Sequence, residues 1–159
     1  MQKLTLLCVG RLKEPFYIDA AAEYVKRLSR FCRTDILELP ESRLPDRPSP
    51  AQIQSALERE AASIRKKINP ADFLAALCIE GQLYSSEQFA DLLSGLSNRS
   101  ISPVFVIGGS YGLHPSIKDA ASCRLSMSPM TFPHHLARVM LLEQLYRACQ
   151  IRAGGQYHK

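Results

Sequence analysis

Nowhere does this chain approach the roughly 20 consecutive apolar residues that a membrane-spanning helix needs. No membrane partner is expected. Its cysteines, Cys8, Cys32, Cys78, Cys123 and Cys149, are odd in number, scattered and never spaced CxxC. That spacing argues against a disulfide scaffold and a zinc ribbon and fits a reducing cytoplasm. Each cysteine reads as a small buried hydrophobe. The dinucleotide fingerprint GxGxxG and the phosphate loop GxxxxGK[ST] are both absent, so NAD and ATP lose support. There is no GxSxG elbow for serine hydrolysis. The histidines, His114, His134, His135 and His158, lack HxxxH or carboxylate-partner spacing, so no metal is expected. The short apolar start of MQKLTLLCVGRLKE runs into charge and reads as a first strand rather than a signal peptide.

What is present is the composition of an ordinary soluble globular protein, 46% hydrophobic and 22% charged. A length of 159 residues suits one domain with a substantial core. The net charge is +5. Arg11, Lys13, Lys26, Arg27, Arg30 and Arg33 load one end of the chain; Arg138, Arg147, Arg152, His158 and Lys159 load the other. That excess favours a polyanionic partner such as nucleic acid, against the plainer reading of solvated helix faces.

Hydrophobic periodicity alternates between strand and helix. Strands are predicted at Leu4–Val9, Asp35–Leu39, Phe73–Ile79, Pro103–Ile107 and Cys123–Met127. Helices are predicted from Phe16 to Phe31, from Pro50 to Ile68 with Ser49 as cap, from Ser85 to Leu96, in a short piece ending at Ala121, and from Pro133 to Arg152. Glu80-Gly81 reads as a turn. The rhythm predicts a mainly parallel α/β sheet with helices on both faces. The last helix carries Leu136, Val139, Met140, Leu141, Leu142, Leu145, Tyr146, Cys149 and Ile151 around more than half its circumference. It is expected to meet the sheet on one side and a second subunit on the other, the alternative being a central helix of one subunit.

Three segments are candidates for chemistry. Gly108-Gly109-Ser110-Tyr111-Gly112 follows a buried strand and precedes a helix, where bare backbone admits a ligand; a plain turn is the alternative. Met127 to His134 mixes prolines and apolar side chains around Ser128 and Thr131, which suits a flat aromatic base or a rigid strand-to-helix connection. The tail Ala153 to Lys159 is by default a disordered end, yet Tyr157 is able to stack on a base and Lys159 to meet phosphate.

Together these motifs carry a resemblance across essentially the whole chain. An LxxxGxxK-like stretch runs from Leu6 to Lys13, IGGSYGL from Ile107 to Leu113, MTFPHHLARVMLLEQLYRA from Met130 to Ala148, and YHK closes the chain. The sequence resembles the pseudouridine N3-methyltransferases of large-subunit ribosomal RNA, the small RlmH-type members of the SPOUT class. The resemblance implies one SPOUT-type domain over residues 1–159, with a C-terminal deep trefoil knot and a homodimer. It implies S-adenosylmethionine (S-adenosyl-L-methionine) as cofactor, held by Leu77, Gly108, Met127, Ser128, Pro129, Met130, Thr131 and Phe132. The implied substrate is a pseudouridine in a stem-loop of 23S rRNA within the assembled ribosome. Where related chains carry an acidic residue, this one has Cys78.

Tyr157 and His158, reaching in from the partner subunit's tail, are the first candidates for holding the base or taking its proton; His134 and Arg138 follow as substrate-positioning residues. Helix capping and ordinary surface charge are the competing roles for that second pair. The alternative function is a non-catalytic RNA-binding or ribosome-assembly protein of the same fold. A tRNA methyltransferase of the same class is disfavoured because no additional RNA-binding domain is present.

Overall fold

A computed structural model describes residues 1–159. The elements follow in the order β1 (Lys3–Val9), α1 (Pro15–Leu28), β2 (Arg33–Leu39), α2 (Pro50–Arg65), β3 (Phe73–Leu83), α3 (Ser86–Asn98), β4 (Pro103–Ile107), α4 (Pro115–Ala120), β5 (Cys123–Ser126) and α5 (His134–Arg152). All five strands are parallel, in the order β2-β1-β4-β3-β5. Sidedness comes from the strand pleat. Leu4, Leu6 and Cys8 of β1 point to a core shared with α1, α3 and α5. Leu7 and Val9 point to a second core with Ala61 and Ile64 of α2 and Ile117 of α4. Every residue of β4 is buried, as a strand covered on both faces requires.

Local chemistry sets the helix starts. Ser49 and Gln52 cap α2 reciprocally: the Gln52 N–H donates to Ser49 Oγ at 3.2 Å and the Ser49 N–H to Gln52 Oε1 at 2.8 Å. Ser85 and Gln88 repeat the arrangement at α3. Pro15, Pro50 and Pro115 stand in the first turns of α1, α2 and α4.

One expectation needs correction. Glu80-Gly81 is not a turn: β3 continues to Leu83 through an irregularity in its pairing with β5 between Leu77 and Gln82. Gly81 makes that possible, because a Cβ there would lie 2.7 Å from the Arg124 carbonyl carbon and push β5 away. The apolar girth of α5 is in good part satisfied within the chain. The helix lies between α1 and α3, and no residue of it before Arg152 is exposed.

Candidate active site

At the carboxyl edge of the sheet, the segments that leave β3, β4 and β5 enclose a cleft of about 760 Å³, within the usual range for small-molecule sites. Leu77, Ile107 and Leu125 form apolar wall, the glycine loop one rim and the β5–α5 connection the other. The cofactor residues expected from the sequence all line this cleft except Pro129. Glu80 is the one carboxylate in the lining, and it accepts from Lys118 Nζ at 2.5 Å. Neither residue stands out by periodicity. Cys78 lines the cleft beside them, and burial raises its thiol pKa, so it stays a neutral group rather than a stand-in for a carboxylate.

The glycine loop lines the cleft and is also a tight turn. It closes on itself: the Gly112 N–H donates to Gly109 O at 3.0 Å, and Gly112 has φ +76°. A Cβ on Gly108 would collide with the backbone carbonyl of Gly112. The glycine at 108 is therefore required first by the loop's own fold, and only then by any ligand. On the other rim, Ser128 Oγ accepts from the Met130 N–H at 3.0 Å, which shapes the turn and leaves Met130 72% exposed. The apolar walls, exposed backbone and single carboxylate fit a ligand with a flat aromatic part and a cationic end.

The residues singled out for substrate separate into three places. His134 lines the cleft at the start of α5, half-buried, and its Nε2 has no hydrogen-bond partner. Burial, and then the adjacent His135, lower its pKa, which keeps the imidazole neutral and able to accept a proton. Arg138, expected to position substrate or to carry ordinary surface charge, is neither on the surface nor in the lining of the cleft. It is 3% exposed, donating from Nη1 to Glu38 Oε2 at 2.8 Å and from Nη2 to Gly10 O at 3.1 Å, so it ties α5 to the ends of β1 and β2. Tyr157 and His158 lie on their own chain away from the cleft. The Tyr157 hydroxyl donates to Glu143 at 3.0 Å, and His158 pairs with Glu87 at 2.7 Å.

The Glu38–Arg138 pair yields a stability prediction. Burial pushes the Glu38 pKa up, but the bonds from Arg138 and the Leu12 N–H outweigh it and hold the carboxyl below its ordinary value. A lowered carboxylate stabilises the fold above the unfolded value near 4.5, and the benefit fades as pH falls through the folded value. Glu38→Gln should cost about 2 kcal/mol at pH 7, less than a fully buried pair because Glu38 is 36% exposed. Thermal melts of both proteins should converge as the pH drops below 4.5 and onward through that lowered folded pKa.

A parallel sheet with its ligand cleft at the carboxyl ends, rimmed by a glycine loop and a strand-to-helix loop, is the layout of a cofactor-using α/β enzyme. The chain belongs to the SPOUT methyltransferase family: the model described as "Predicted SPOUT methyltransferase" matches residues 2–158. It is 49% identical over 158 residues to the ribosomal RNA large subunit methyltransferase H of Streptococcus equi subsp. zooepidemicus, covering 99% of each chain. The protein of that name from Streptococcus pyogenes serotype M49 is 46% identical over the same length. Among solved structures, a probable methyltransferase from Bordetella pertussis shares the fold, with a TM-score of 0.60 at 15% identity, covering 93% of this chain and 96% of that one. A probable methylase family protein from Haemophilus influenzae does so at 0.58 and 12%, covering 99% and 70%.

Proposed function

We propose that this protein methylates N3 of a pseudouridine in a stem-loop of 23S rRNA, using S-adenosylmethionine and acting on the assembled large subunit or ribosome. The observation that carries the reading is the cleft, which gathers the expected cofactor residues, Pro129 apart, into one place at the end of the sheet. Full-length identity to relatives named as ribosomal RNA methyltransferases supports the same substrate here. The working unit in this reading is a cytoplasmic homodimer of single-domain chains, residues 1–159 each, with the C-terminal segment knotted. The exposed Phe16 and Ile18 of α1 support a paired surface there.

S-adenosylmethionine supplies an electrophilic methyl carbon when bound. Leu77, Gly108, Met127, Ser128, Met130, Thr131 and Phe132 would hold it. The protein's remaining work is to align the base and let its N3 proton leave. His134 lines the cleft with a neutral imidazole and is our candidate to receive that proton; its Nε2 is buried beside Gly10, so the ring must turn to present it to the base. His134→Ala should slow methyl transfer by about a hundredfold. Calorimetric binding of S-adenosylhomocysteine should change by less than about threefold, and an unchanged transfer rate would remove the residue from the reaction.

Phosphate contacts from Lys and Arg, with ribosome shape as the selector, favour the assembled particle over free RNA. Transfer to ribosomes should exceed transfer to naked 23S rRNA; equal rates would contradict that substrate assignment.

A further inference from the structure

We propose that Glu41, in the connection between β2 and α2, is a positioning residue for the glycine loop: its carboxylate fixes residues 108–112 in the shape the cleft requires. The inference rests on the methyltransferase reading of that cleft.

Three observations converge on this carboxylate. The Ser110 N–H donates to Glu41 Oε1 at 2.9 Å, across 69 positions of sequence, and no other side chain hydrogen-bonds to residues 108–112. Two glycines leave space for the same group. A Cβ on Gly109 would lie 2.5 Å from Oε1 and 2.9 Å from Cδ, and a Cβ on Gly10 would lie 3.3 Å from Oε2. Gly10 and Gly109 follow β1 and β4, which are neighbours in the sheet, so the carboxylate sits across both strand ends. Finally, the segment holding Glu41 is itself anchored. The Ser42 N–H donates to Oε1 of Glu60 at 2.9 Å, and Glu60 is buried on α2; the Ser42 hydroxyl donates to Ala56 O at 3.3 Å.

The loop's internal bond fixes its tip but not its attitude to the sheet. Glu41 supplies that attachment from outside the cleft, through a smaller hollow of about 390 Å³ that shares Ser110 and Tyr111 with it. A hydrogen bond to an ionised acceptor is stronger than a neutral one. A loop already in its binding shape also spares the ligand the cost of ordering it. A Cβ on Gly10 would lie 3.3 Å from Glu41 Oε2 and 3.7 Å from His134 Nε2, so the carboxylate and the buried imidazole nitrogen both face the end of β1.

The test uses the full chain, calorimetric titration with S-adenosylhomocysteine, and residue-resolved amide exchange. Glu41→Ala should weaken binding by about tenfold or more and speed exchange at the Ser110 amide, with the melting temperature close to the parent's. Glu41→Gln keeps an acceptor oxygen and should stay within about threefold of the parent. In the unaltered protein the Ser110 amide should exchange slowly. Parent-like binding by Glu41→Ala, or a freely exchanging Ser110 amide in the parent, would overturn the proposal. Failure of the parent itself to bind would sink the methyltransferase reading instead, and Ser110 exchange would still decide the role of Glu41.

Discussion

Gly108→Val is expected to raise the dissociation constant for S-adenosylhomocysteine by more than about a hundredfold while the protein stays folded. The neighbour a new Cβ would strike is the main chain of Gly112, which has no rotamer to move aside. The Gly109–Gly112 bridge must open, and Ser110 and Tyr111 then leave the cleft rim. The strand beneath stays packed, because Phe105 and Ile107 sit in one core and Val104 and Val106 in the other. Gly95 provides the control. Nothing lies within 4 Å of a Cβ there, and the residue sits inside α3. Gly95→Ala should leave binding unchanged and stabilise the helix by about 0.5–1 kcal/mol. Calorimetry and melting of the two variants, run together, separate a loop effect from a general intolerance of added side chains.

Removal of residues 155–159 should abolish methyl transfer and leave S-adenosylhomocysteine binding within about twofold of the parent, since none of them lines the cleft. Within one chain the tail is held over α5: Arg147 lies 4.7 Å from the Tyr157 ring centroid, and Tyr146 meets that ring edge-on at 4.9 Å. In the proposed dimer, the tail of one subunit serves the cleft of the other. Mixing the truncated chain with Gly108→Val, each inactive alone, should therefore restore transfer, because hybrid dimers pair an intact cleft with an intact tail. A mixture that stays inactive while exchanging subunits would place the tail's action within its own chain. Full turnover by the truncated protein would remove the tail from catalysis.

Much of this arrangement was legible in the residues, for reasons that differ by element. Pro103 to Ile107 is an unbroken apolar run between a proline and a glycine pair, so its bounds were predicted as the structure has them. Ser49-Pro50 carries a cap and a first-turn proline and located the start of α2. Gly81 misled, because glycine serves turns and irregular strands alike and only the nearby β5 backbone decides between them. Arg138 misled because its partners, Glu38 and the Gly10 carbonyl, lie 100 and 128 positions away, beyond any local pattern. Glu41 was missed on the same ground. Its contact with Ser110 exists only once β1, β2 and β4 are assembled. The candidate cofactor residues were read from family motifs, since hydropathy alone does not distinguish a cleft rim from a connecting loop.

The most direct measurement is methyl transfer from labelled S-adenosylmethionine to ribosomes that lack the modification, with the labelled nucleotide mapped by mass spectrometry. Label is expected on one nucleotide of 23S rRNA, a pseudouridine methylated at N3, with transfer lost in Gly108→Val. Cofactor binding without transfer to any base would contradict it and favour a ribosome-assembly protein that keeps the fold.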